Sequence, residues 1–150
     1  GCFNANYERL LQNATKTLKF EVLEIDVSDE LSYRWLCQLI QQCSCIEELL
    51  IRWKIGCYDT SQQMLLNIPL NKCEYIAIDS HDLVMDDELF LSLLVRSSGD
   101  IFIDCAQNTI TTAGLALAFQ MVYSGKRQGR ITCKPAFDEW LGYHDELFNS

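Results

Sequence analysis

A four-residue pattern, apolar-any-apolar-polar, recurs five times along this chain and constrains its fold more than any other feature. It occurs as Leu23-Glu24-Ile25-Asp26, Leu49-Leu50-Ile51-Arg52, Ile76-Ala77-Ile78-Asp79, Ile101-Phe102-Ile103-Asp104 and Ile131-Thr132-Cys133-Lys134. The starts at residues 23, 49, 76, 101 and 131 lie 26, 27, 25 and 30 residues apart. Alternating Ile and Leu with period two is the mark of a strand with one buried face. Recurrence at this interval indicates a repeat of one supersecondary unit, which decides the fold before any single element does.

The segments between these strands have helical spacing and a length suited to returning the chain to a neighbouring parallel strand. Ser28 or Asp29 caps a first helix through Cys43, with Leu31, Trp35, Leu36, Leu39 and Ile40 on one face. Asp59 or Thr60 starts a short second helix with Met64, Leu65 and Ile68 inward, and Pro69 ends it. Asp86 opens a third, with Leu89, Phe90, Leu93 and Leu94 inward and a stop at Ser97-Ser98-Gly99. Thr111 or Thr112 caps a fourth, whose stripe is Leu115, Ala118, Phe119 and Val122, and Gly125 supplies a left-handed stop.

Amphipathic segments flank the array: Phe3, Tyr7, Leu10, Leu11 and Ala14 at one end, and Phe137, Trp140, Leu141, His144, Leu147 and Phe148 at the other. They read as helical caps covering the ends of stacked repeats. The expected fold is α/β: repeat-like strand-helix units forming a mostly parallel curved sheet, leucine-rich-repeat-like, with terminal helical caps. A chain of 150 residues matches a single domain, divided into an N-terminal cap (1–16), five units (17–135) and a C-terminal cap (136–150).

Parallel pairing with all helices on one side leaves the other sheet face free. Glu24, Leu50, Ala77, Phe102 and Thr132 then form one row across the strands, and Asp26, Arg52, Asp79, Asp104 and Lys134 form the next. An apolar centre with an acidic flank has the composition of a partner-binding patch. The alternative is that another segment covers this face and makes Leu50 and Phe102 ordinary core.

A net charge of −9, with its twelve Lys and Arg residues scattered, argues against nucleic acid as a partner. No apolar run is long enough for a membrane span, so a soluble protein is expected. The opening Gly-Cys-Phe, without Met, reads as a domain whose parent continues upstream. Most of the eight cysteines fall within apolar runs, which points to reduced, buried thiols and a cytoplasmic or nuclear location. The sequon at Asn13 is then accidental.

Chemistry-bearing constellations are weak. Cys43-Ser44-Cys45 with Cys57 and Cys73 offers four thiols, but not with the spacing of a structural zinc site, so buried thiols and no metal are expected. His81, just past a strand beside Asp82, could join Asp79 and Asp104 in an acid–base cluster, against which stands a plain polar loop. His144 reads as a core-edge histidine. Ser124-Gly125-Lys126-Arg127-Gln128-Gly129-Arg130 has the composition of a phosphate loop but ends a helix instead of opening one. It reads as a turn with a solvated basic tip, where Lys126, Arg127 and Arg130 offer contacts to an acidic partner.

The stretch 71–135 resembles the F-box-associated C-terminal regions of nematode F-box proteins, including the group called the FTH domain. The residues that carry the resemblance are Lys72-Cys73-Glu74-Tyr75-Ile76-Ala77-Ile78-Asp79, Asp100-Ile101-Phe102-Ile103-Asp104, Ile110-Thr111-Thr112-Ala113-Gly114-Leu115, Ser124-Gly125-Lys126-Arg127 and Arg130-Ile131-Thr132-Cys133-Lys134. The chain departs from that pattern in lacking a Trp-Lys pair near Lys72. The resemblance implies a substrate- or partner-recruiting region of an adaptor in a ubiquitin ligase complex. With no catalytic constellation in view, the expectation is a non-enzymatic protein-interaction module without cofactor that binds another protein or peptide. The alternatives are a small α/β enzyme or nucleotide-binding domain, and a scaffold binding through its terminal segments.

Overall fold

The computed structural model describes residues 18–55, 59–134 and 137–141. Each of the five predicted strand cores lies inside a strand: β1 (Leu18–Val27), β2 (Cys43–Trp53), β3 (Cys73–Met85), β4 (Asp100–Asn108) and β5 (Ile131–Lys134). Four helices alternate with them: α1 (Glu30–Gln42), α2 (Asp59–Leu66), α3 (Asp87–Arg96) and α4 (Thr112–Tyr123). The five strands pair in parallel, each with its neighbour in sequence. Consecutive crossovers of one hand, all advancing in one direction, put every helix on the same side of the sheet. The sheet stays open and does not close into a barrel.

The predicted strand cores are in register. Leu23, Leu49, Ile76, Ile101 and Ile131 form one inward row, and Ile25, Ile51, Ile78, Ile103 and Cys133 form the next. All ten are buried in a single core with Leu36, Leu39, Ile40, Leu65, Phe90, Leu93, Leu94, Ala118 and Val122 from the helices. Burying such side chains stabilises by roughly 1.5–3 kcal/mol each. The strands begin differently: in β2 burial falls on every third residue, at Cys43, Ile46 and Leu49, and only then on alternate residues, at Leu49, Ile51 and Trp53.

Helix starts follow their capping chemistry. Asp29 caps α1 by accepting from Ser32 N at 2.8 Å, while Ser32 Oγ accepts from Asp29 N at 3.2 Å. This reciprocal pair draws Ser32 into the interior, so the inner stripe runs Ser32, Leu36, Leu39, Ile40. Leu31, expected on that stripe, is exposed instead. Asp86 caps α3 through Leu89 N at 2.8 Å, and Thr111 caps α4 through Gly114 N at 3.1 Å. Gly125 follows α4 with φ +75°, the left-handed stop expected of it.

Two terminal expectations fare differently. The N-terminal cap lies outside the described residues, as do His144, Leu147 and Phe148. The C-terminal segment does not begin as a helix: Phe137–Leu141 is strand β6, antiparallel to β5, with Ile131 opposite Leu141 and Cys133 opposite Phe137. β5 would otherwise present a bare edge, and a short connection can return the chain only antiparallel. Local helical spacing yields to that pairing.

Candidate interaction surface

On the side away from the helices the register assembles three rows. Val22, Glu48, Tyr75 and Asp100 form the first; Glu24, Leu50, Ala77, Phe102 and Thr132 the second; Asp26, Arg52, Asp79, Asp104 and Lys134 the third. The second and third are the two rows expected from the sequence pattern. Glu24, Arg52, Asp79 and Asp104 are exposed, whereas Asp26, Leu50, Ala77, Phe102 and Lys134 are half-buried. The face closes at β5, where Thr132 retains only 1% of its accessible surface.

The charges of the third row fall into two groups. Arg52 bridges Glu24 and Asp26 across the first two strands, at 3.1 Å to Asp26, and Lys54 adds a second contact to Asp26 at 3.0 Å. Exposed pairs of this kind contribute about 1 kcal/mol at most, so they order the side chains more than they stabilise the fold. Lys134 sits 5.5 Å from the centroid of the Phe102 ring, a cation over an aromatic face. Asp79 and Asp104 are register partners, with Arg52 beside Asp79 and Lys134 beside Asp104 on the flanking strands, although neither cation comes within salt-bridge distance of either carboxylate among the described residues.

Beyond Asp79 the strand bulges. Ser80 pairs with Cys105 and Val84 with Gln107, so residues 81–83 of β3 oppose residue 106 alone. Ser80 Oγ holds the bulge by accepting from Asp82 N at 3.3 Å and Leu83 N at 3.1 Å. His81 and Asp82 are thereby pushed out into solvent at the carboxyl end of the sheet, while Leu83 stays buried. Bulges commonly re-aim side chains in this way. Among the described residues His81 donates to neither Asp79 nor Asp104, so these three do not form a hydrogen-bonded acid–base relay.

The loop after α4 differs from its expected form. Lys126 is exposed and Arg130 pairs with Asp100 at 3.2 Å, but Arg127 is buried, with 2% of its surface accessible. Its guanidinium donates to the carbonyls of Leu94, at 2.8 Å, Ser97 and Gly99 and to Ser97 Oγ at 3.0 Å. Burial lowers its pKa to about 10, which still leaves the group charged at neutral pH. Arg127 thus caps the C-terminus of α3 and does not belong to a solvated tip.

Two other cations do the same for the preceding helices. Lys72 donates to the carbonyls of Ile40, Gln41 and Cys43 at 3.2, 3.0 and 2.9 Å, closing the end of α1. Arg96 donates to Leu65 O at 2.7 Å and to Ile68 O, closing the end of α2. A positive group suits the negative end of a helix dipole. Each donor lies 28 to 33 residues beyond its acceptors, about one repeat unit along, and that spacing is the one sequence signal that could have exposed this ladder.

Among the described residues no cluster of His, Cys, Asp and Glu could hold a metal. Cys43 and Cys73 are buried, and desolvation raises both thiols, Cys73 to about 12. Cys57 lies outside the described residues. The six described cysteines are unbridged. No helix among the described residues is long and apolar enough to cross a membrane.

With this geometry in hand, comparison with protein-family models, curated proteins and solved structures yields no match.

Proposed function

We propose that this chain is a protein-interaction module that receives a partner polypeptide on the open sheet face, centred on Leu50, Arg52, Phe102 and Asp104. The observation that carries the reading is the second row: Leu50, Ala77 and Phe102 stand side by side, half-buried, with charged residues beside them. An apolar row flanked by charge has the composition of a partner-binding patch. The resemblance of residues 71–135 to F-box-associated regions favours the same reading and suggests a recruiting role in an adaptor. Lys126 and Arg130, both exposed, form a secondary candidate surface.

A photo-crosslinking amino acid at position 102 tests this reading, with one at the exposed helix-side position Val95 as control. In cells, position 102 is expected to give a discrete adduct that position 95 does not. Equal labelling from both would contradict it.

A further inference from the structure

We infer that α4 seats a second copy of this chain, packing antiparallel on its own counterpart about a two-fold axis. Among the described residues α4 is the last helix of the layer, and Thr112–Tyr123 contains no charged residue. Its inner stripe is Gly114, Ala118 and Val122. Ala113, Ala116, Leu117, Gln120 and Tyr123 are exposed, Leu117 at 49% and Tyr123 at 57%. Helix α1 differs, since its exposed residues include Glu30, Arg34, Gln38 and Gln41. A helix without a charged face belongs in an interior, yet the fold covers only one side of this one.

Charge and side-chain size select the occupant. A chain of net charge −9 repels its own copies over most of its surface, so an uncharged helix is where two copies can meet. The two ends of α4 carry opposite signs. Asp87 lies at its start, accepting from Thr111 N at 2.8 Å, with Glu88 exposed beside it in sequence, and Lys126 is exposed just beyond its end. A two-fold axis reverses one copy, which brings each Lys126 toward the other copy's Asp87 and Glu88. Sizes complement one another about the same axis. With the axis at the level of Ala118, Tyr123 meets the second copy's Ala113 and Gln120 meets its Ala116, large against small, while Leu117 lies near its own counterpart. The strand rows lie on the side away from the helices, so this contact does not compete with them.

Sedimentation velocity of the intact chain over a concentration series tests the inference, and a monomer–dimer equilibrium is expected. Leu117→Glu should shift that equilibrium about tenfold or more toward monomer, with thermal melts confirming the fold. Glu88→Lys and Lys126→Glu should each weaken the dimer. The double variant Glu88→Lys/Lys126→Glu should recover it, because the swapped charges again meet their opposites across the axis. A chain that stays monomeric at every concentration, as it would if another segment or another protein covered α4, overturns the inference. So does a dimer that Leu117→Glu leaves intact or that the paired swap fails to restore.

Discussion

Arg127 shows how much one side chain can conceal. In sequence it belongs to a Gly- and Lys-containing loop and reads as solvated, because its acceptors, Leu94, Ser97 and Gly99, belong to the preceding unit. Replacing it with Ala leaves those carbonyls buried without a donor and should cost about 3 kcal/mol or more in urea unfolding. Arg127→Lys should recover only part of that, lacking the fork that reaches several carbonyls at once. Gly99 meets a different limit: an added Cβ would lie 2.0 Å from Glu74 O, and one on Gly129 would lie 2.0 Å from Gly99 O. The two glycines occupy equivalent positions before β4 and β5, and Gly99→Ala should destabilise by about 1–3 kcal/mol as adjacent strands are forced apart. Asp29 supplies a pH-dependent term. Its hydrogen bonds from Ser32 hold the carboxyl below the usual 3.8, so its stabilisation is present above 3.8 and lost as pH falls through the lower folded value. Asp29→Ala should therefore be less stable than the parent at neutral pH and converge with it in strong acid, whereas Asp29→Asn should keep the cap and remove the titration. Equilibrium unfolding across acidic pH checks both.

Among the elements, the strands were the most legible because period-two alternation of Ile and Leu has few other readings. Even their register follows from aligning the five patterns. The third helix was equally clear: Leu89, Phe90, Leu93 and Leu94 are all buried as expected. Two features escaped for stated physical reasons. The bulge in β3 depends on Ser80 Oγ catching two backbone amides, which hydrophobic patterning does not register. The C-terminal strand depends on the exposed edge of β5, a demand made by the assembled sheet and not by residues 137–141 themselves. Truncation after Lys134 should uncover that edge, and light scattering coupled to size exclusion should then find larger assemblies than the intact chain forms. A truncated protein that assembles no further than the intact chain would show that the edge needs no cover.

At the scale of the molecule, helices on one side and strand rows on the other follow from the same repeat that sets the core. The two rows on that face were legible as rows. What was not legible is how their charges sort: Arg52 and Lys54 both turn to the Glu24/Asp26 side, although Arg52 is also the register neighbour of Asp79. That depends on side-chain reach between strands, beyond what spacing conveys. The cation ladder of Lys72, Arg96 and Arg127 links the units on the helix side. The sheet face is proposed to receive a partner polypeptide. The most direct measurement compares affinity purification of the intact chain with that of the Arg52→Glu/Phe102→Asp variant, after matching thermal melts show both to be folded. A stoichiometric partner is expected with the parent, and its loss with the variant. The same partner retained at the same yield by the folded variant would contradict it.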